Sequence, residues 1–191
     1  MREIIDNAYA SLQSSVAAAE SQKETVARAA RAMADALSAG GSILICGNGG
    51  SAAEAQHFAA ELVGRFLTER PGLPALSLGA DTAKLTAIGN DYGFSEVFAR
   101  QVAALGRPGD VLWAISTSGL SPNVLRALAV ARERGLATFY MCGRALPDPS
   151  VADIVLYSPA PSVPRIQELH LFYGHLICEL IDAILFSPAR A

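Results

Sequence analysis

The stretch Ile43 to Gly64, ILICGNGGSAAEAQHFAAELVG, restricts the folds open to this chain more than any other. Ile43, Leu44, Ile45 and Cys46 form a short apolar run rich in β-branched residues, the pattern of a strand buried on both faces. The run breaks into Gly47-Asn48-Gly49-Gly50-Ser51, whose glycines permit positive φ and close approach of the backbone to a ligand. A helix-forming segment follows. Ser51 is placed to cap it, so that its first N–H groups and positive dipole end face anything lodged in the loop. His57 and Glu61, four residues apart, share one face of that helix a turn deeper than the loop. An anion site with a proton-transfer or metal-binding pair beside it points to chemistry on a small anionic substrate. A solvated i,i+4 pair is the plain alternative for the two side chains.

The same segment also fits the dinucleotide pattern G-x-G-x-x-G/A through Gly47, Gly49 and Ala52. That reading needs an acid about twenty residues on, at the end of a second strand. Glu69 sits in a charged loop and Asp81 is too far, so the match is weak.

At 191 residues the chain suffices for one well-buried α/β domain and is marginal for two. Apolar residues make up 51% and the formal net charge is −3, a balance that fits neither a nucleic-acid footprint nor a disordered tail. Cys46, Cys142 and Cys178 lie in apolar runs, odd in number and without metal-type spacing, as reduced core residues of a cytosolic protein do. No basic-then-apolar leader opens the chain. The most apolar stretch, Leu169 to Phe186, carries His170, His175, Glu179 and Asp182, which argues against a membrane span. The expectation is a soluble cytoplasmic protein.

Residues 2 to about 39 read as two helices with a break near Ser21-Gln22, ended by Gly40-Gly41. Such a hairpin has no place inside a doubly wound core, so it is expected on the outside or against another subunit. Arg70-Pro71-Gly72 makes a turn, and Leu73 to Leu78 reads as a strand. Asp81-Thr82 can cap a short helix through Ile88, followed by a polar loop from Gly89 to Gly93 that holds Asn90 and Asp91. A helix is expected over 94–105.

Val111 to Ile115 reads as another strand, running into Ser116-Thr117-Ser118-Gly119-Leu120-Ser121-Pro122. Hydroxyls crowd the space between a buried strand and a helix with proline near its first turn. Hydroxyls and helix N-terminal amides can hold a phosphate without a lysine. A capped polar loop is the plain alternative. Two such loops, each at the C-terminal end of a strand, stand where open parallel sheets place their ligands. A helix over 123–134, strands over 138–141 and 154–157, and a long helix over 165–186 complete the pattern.

The motifs CGNGGSAAEAQHFAAELVGRF, AIGNDYGF, AISTSGLSPNV and RIQELHLFYGH occur in that order. Through them the chain resembles the sugar isomerase (SIS) family from about residue 40 onward. Over nearly all its length, hairpin included, it is similar to the sedoheptulose 7-phosphate isomerase branch. The resemblance implies a single SIS domain over 1–191, with a helical hairpin at 1–39 and a sheet core and C-terminal helix at 40–191. It implies a doubly wound, five-stranded parallel sheet flanked by helices (flavodoxin-like) in a homotetramer. It also implies conversion of sedoheptulose 7-phosphate to D-glycero-D-manno-heptose 7-phosphate through an enediol(ate).

By position, the resemblance assigns the sugar phosphate to Ser116, Thr117, Ser118 and Ser121. Contacts to the sugar fall to Asn48, Gly49, Gly50, Ser51, Glu61, Asn90, Asp91 and Gln167. Zn²⁺ is implied at His57, Glu61, Gln167 and His175, with Glu61 as general base and His175 as acid. Gln167 and His175 are eight residues apart, about 12 Å along a straight helix. That distance suggests that one of them serves a neighbouring subunit's centre, in a site spanning an interface.

Two departures stand out: residues 142–150 lack the double glycine common there, and Pro164 replaces an acid found in some members. The competing reading is a non-catalytic SIS protein that binds phosphosugars or regulates replication initiation. Such proteins keep the phosphate loop but lose the acid–base pair, and here Glu61 and His175 are both present.

Overall fold

The structure is a computed structural model that describes residues 1–144, 146 and 148–186. Five short strands, β1 (Ile43–Gly47), β2 (Ala75–Ser77), β3 (Val111–Ser116), β4 (Ala137–Cys142) and β5 (Ile154–Tyr157), form one sheet. Its order is β2-β1-β3-β4-β5, and every pair is parallel. Register runs straight across the middle, with Ile43 opposite Val111 and Val111 opposite Ala137. The chain turns outward from β1 in one direction to β2 and in the other to β3. This order places a topological switch point between β1 and β3, where such sheets bind ligands.

Seven α-helices are described: α1 (Arg2–Ala19), α2 (Lys23–Ser38), α3 (Gly50–Val63), α4 (Thr82–Tyr92), α5 (Ala99–Leu105), α6 (Pro122–Glu133) and α7 (Val163–Phe186). Side chains alternate across each strand. Ile43, Ile45, Val111, Trp113, Ile115 and Phe139 meet α2, α3 and α7 on one face. Leu44, Cys46, Leu112, Ala114 and Tyr140 meet α5 and α6 on the other. The continuous apolar runs follow from burial on both faces.

One contact fixes the helix that matters most. Phe58 on α3 stacks on Trp113 of β3 with ring centroids 4.9 Å apart and planes 9° apart. A buried aromatic pair of this kind adds about 0.5–1.5 kcal/mol beyond its area. Gly174 lets α7 close onto the same ring, because a Cβ there would lie 2.1 Å from Phe58 Cζ. Thus α3 is held between sheet and α7, and His57 and Glu61 on its flank face a defined neighbour.

α7 is long and apolar enough to cross a bilayer by length and composition, with a mean hydropathy of 1.5. One face of it is taken up by protein: Leu169, Tyr173, Ile177 and Ile181 are buried in the core shared with α2 and α3. The three cysteines are free and buried, as their apolar settings predicted.

Several local expectations are corrected. α4 continues through Asn90 and Asp91 to Tyr92, so these two residues occupy a last helical turn and not a loop. Gly93, at φ 86, supplies the left-handed exit that ends the helix. The helix expected over 94–105 is a 3₁₀ turn, Phe94–Glu96, followed by α5. The second strand shrinks to Ala75–Ser77. Gly49, not Ser51, is the N-cap of α3, and Ser51 lies buried inside its first turn. The glycine takes φ 55 and ψ −121, which a residue with a Cβ adopts only under strain. The expectation for the 142–150 loop falls partly on residues 145 and 147, which lie outside the described residues.

Candidate active site

Three of the four expected metal ligands meet. The ligand atoms of His57, Glu61 and His175 all lie within 4.8 Å of one another. His57 Nε2 is 2.7 Å from His175 Nε2 and 3.5 Å from Glu61 Oε1. The rings are held from outside. Phe66 stacks on His175 at 5.6 Å between centroids, and Phe58 presents its edge at 6.4 Å. Glu61 is the more sheltered of the helical pair, its side chain 23% exposed against 41% for His57.

Two imidazole nitrogens and one carboxylate converging from two helices form a donor set suited to zinc, with a position left for substrate or water. Two nitrogens on one tetrahedral zinc stand about 3.3 Å apart, so these rings need to part by roughly 0.6 Å. The residues present fit the metal.

Gln167 does not join them. It lies at the other end of the helix contact, where its Nε2 would sit 2.1 Å from a Cβ on Gly50. Gly50, Glu54, Pro164, Gln167, Glu168 and Leu171 line a depression of about 340 Å³ there. At the wall of this depression, Glu54 Oε2 stands 3.7 Å from His170 Nδ1. Both are buried without a hydrogen-bond partner among the described residues. Sequence reading missed this pair, since Glu54 and His170 lie in separate motifs and His170 reads as a core histidine.

The second loop draws the hydroxyls of Ser116, Ser118 and Ser121 together. Ser116 Oγ lies 2.9 Å from Ser121 Oγ and 3.3 Å from Ser118 Oγ, and Ser118 Oγ accepts the Leu120 N–H at 3.1 Å. Thr117 takes part through its carbonyl, which accepts the Gly143 N–H at 3.2 Å. Ser121 is the N-cap of α6, and its side chain is not used on the helix, leaving the hydroxyl for the loop and a ligand. Backbone amides at the start of a twelve-residue helix add a positive dipole end.

The two loops are tied together across the switch point. The side-chain amides of Asn48 and Asn123 exchange reciprocal hydrogen bonds, each 2.8 Å. Asn123 is 2% exposed and was not anticipated. Its place right after Pro122 in the loop motif is the one signal that could have marked it. Asn90 and Asp91 are not brought to this crevice by any hydrogen bond among the described residues. They are exposed and bond to one another at 2.9 Å.

Fold and site together define a sugar isomerase class of α/β protein, and the chain belongs to the SIS domain family, whose model matches residues 7–143. It is 56% identical over 164 residues to the phosphoheptose isomerase of Solidesulfovibrio magneticus, covering 86% of this chain and 80% of that one. To the phosphoheptose isomerase of Thiobacillus denitrificans it is 48% identical over 188 residues, covering 96% and 95%.

Among solved structures, the phosphoheptose isomerase of Neisseria gonorrhoeae superposes with a TM-score of 0.88 at 44% identity, covering 95% of this chain and 98% of that chain. The Vibrio vulnificus NanR protein, complexed with ManNAc-6P, has a TM-score of 0.69 at 17% identity, covering 96% of this chain and 64% of that chain. That likeness shows the shared fold alone, so the choice among functions rests on the site and on the relatives of high identity.

Proposed function

We propose that this chain is an aldose–ketose isomerase that converts sedoheptulose 7-phosphate to D-glycero-D-manno-heptose 7-phosphate, the first step of nucleotide-activated heptose biosynthesis. The observation that carries the reading is the meeting of Glu61, His57 and His175 on the flank of the helix that follows the glycine loop. It occurs in a chain 48–56% identical to phosphoheptose isomerases. The regulator reading lacks any use for such a cluster.

The residues then divide the work. Ser116, Thr117, Ser118 and Ser121 grip the phosphate with hydroxyls and the α6 amides. The Asn48–Gly50 backbone, Ser51, Asn90, Asp91 and Gln167 contact the sugar chain. Glu61 takes a proton from C1 of the ketose while a ring N–H of His175 gives one to O2, leaving a C1=C2 enediol. Loss of the O1 proton and protonation at C2 complete the aldose, so the reaction is an internal redox exchange with no co-reactant. His57, Glu61 and His175, with Gln167 of a neighbouring copy, would hold Zn²⁺, which supplies charge stabilisation for the sugar oxygens.

We place the protein in the cytoplasm as a homotetramer with active sites at subunit interfaces. Three features support an assembly of this kind. Gln167 is apart from the triad in its own chain. Asn90 and Asp91 face outward. α1 exposes Ile4, Ile5 and Tyr9 and buries only Ser15 and Ala19. A nucleic-acid or membrane partner is not part of the proposal.

The test is turnover of sedoheptulose 7-phosphate before and after chelation, with Zn²⁺ added back. Loss on chelation and recovery with zinc are expected. Full turnover after verified metal removal would leave Glu61 and His175 as a metal-free pair. No turnover by folded protein under any condition would move the assignment to a phosphosugar-binding regulator.

A further inference from the structure

Arg70 reads in the sequence as part of a turn, and Asp182 as one polar residue on an apolar helix. The structure buries both, with side chains 1% and 6% exposed, and pairs Arg70 Nε with Asp182 Oδ1 at 2.8 Å. Most of the rest of the guanidinium is spent on the end of α3, with one further bond to its own turn. Nη2 donates to the Glu61 carbonyl at 2.9 Å, and Nη1 to those of Leu62 at 2.7 Å, Gly64 at 3.2 Å and Pro71 at 3.2 Å. Asp182 Oδ2 accepts the Thr68 hydroxyl at 3.2 Å.

The last carbonyls of a helix lack intrahelical partners and carry a partial negative charge. α3 has no basic residue of its own in its last turn, so Arg70 arrives from the following turn to cap it. The cap alone does not require Asp182. Asp182 lies seven residues beyond His175, two turns along the same face of α7. The chain of bonds therefore runs from the Glu61 backbone through Arg70 to the helix that carries His175. A buried ion pair is weak support for stability compared with apolar packing, so geometry is the more telling gain.

We propose that Arg70 and Asp182 form a positioning clamp that sets the spacing between the α3 and α7 halves of the His57–Glu61–His175 cluster. This rests on the reading of that cluster as the zinc and acid–base site. Neither residue touches the reacting atoms. The clamp acts through the backbone of Glu61 and the register of α7. Supporting residues of this sort change metal affinity about 10–100-fold when altered.

The experiment titrates metal-free protein with Zn²⁺ against a chromophoric chelator, alongside kcat, KM and thermal unfolding. It compares the unaltered chain, Arg70→Lys, and the double variant Arg70→Met with Asp182→Leu. Lysine keeps the charge but cannot span four carbonyls and a carboxylate. The double variant replaces the buried pair with apolar volume, an exchange that proteins often tolerate without loss of stability. Expected are zinc affinities 10–100-fold weaker and a matching fall in kcat. KM for the sugar phosphate should stay within about threefold, since the serine loop is untouched.

A variant that melts lower yet keeps the original zinc affinity and kcat would make the pair a helix cap only and overturn the clamp. Should Arg70→Lys fail to fold, the double variant supplies the reading, and wild-type affinity there overturns the proposal equally. If the unaltered protein does not take up zinc, the metal reading itself falls, a result distinct from equal binding by all three proteins.

Discussion

Replacing Glu61 with Gln keeps the side chain's volume and removes its negative charge and its capacity to take a proton. The structural cost is small by construction. The carboxylate accepts no hydrogen bond among the described residues, and its contact to His57 is 3.5 Å in a partly exposed helical pair. Such pairs contribute about 0.3–0.5 kcal/mol. For a chain of this length, that moves the melting temperature by no more than about 2 °C. A positioned general base accelerates proton transfer by about 10²–10⁴. At 1.36 kcal/mol per decade, its loss raises the barrier by about 3–5 kcal/mol.

The assay is kcat for sedoheptulose 7-phosphate, paired with deuterium uptake into substrate and product from D₂O. Zinc content is measured on the same samples, because Glu61 also sits in the donor set. A folded Glu61→Gln that carries zinc and retains kcat within tenfold of the original would refute the base assignment. So would carbon-bound deuterium appearing at an undiminished rate.

The remaining expectations concern other parts of the molecule. Ser118→Ala removes one hydroxyl from the phosphate loop, a charge-assisted hydrogen bond of about 1.5–3 kcal/mol, and should raise KM about 10–100-fold at constant kcat. An equal fall in kcat and kcat/KM would place Ser118 in transition-state stabilisation instead. Gly174→Ala drives a Cβ to 2.1 Å from the Phe58 ring, which is fully buried and stacked on Trp113. Overpacking of this kind costs about 1–3 kcal/mol, read as a fall of roughly 2–12 °C in thermal unfolding; an unchanged melting temperature would mean that α7 backs away freely.

Burial pushes the thiols of Cys46, Cys142 and Cys178 up from 9.0 to about 12. The unfolded chain therefore ionises first. Their contribution to stability is whole below pH 9 and is lost between pH 9 and about 12. Native protein at pH 8 should resist iodoacetamide and react at all three sites when unfolded. Rapid native labelling would contradict the burial.

What the sequence disclosed depended on how local the physics was. The strand, glycine loop and helix at residues 43–64 follow from patterns within a few residues of one another, and so does the hydroxyl loop before Pro122. His57 and Glu61 were legible as a pair because four residues is one helical turn. His175 entered only by resemblance, since nothing in an apolar helix says which distant helix it will meet. Asn48 with Asn123 and Arg70 with Asp182 were illegible for the same reason: each pairs residues far apart in sequence, 75 and 112 positions, joined only by the sheet order and the packing of α7. The α4 error has another origin. Gly, Asn and Asp are turn formers, yet a helix tolerates them in its last turn when a glycine beyond provides the exit.

The course of α7 along α3 explains why Gln167 and His175 part company. The two helices run side by side in the same direction: Gln167 reaches Gly50, His170 stands by Glu54, Gly174 meets Phe58, and Asp182 meets the Arg70 that caps α3. Each step along one helix is matched by a step along the other. Two residues eight apart on α7 therefore face positions on α3 about two turns apart, about 12 Å along the axis. Under the proposed assembly, a second copy of the chain brings its Gln167 to the triad from outside. The outward-facing Asn90 and Asp91 and the uncovered apolar side chains of α1 are what such an approach could use. In this arrangement assembly completes the site, and dilution below the dissociation constant of the assembly should cost zinc affinity and turnover together. Monomers that retain both would show one chain to be sufficient.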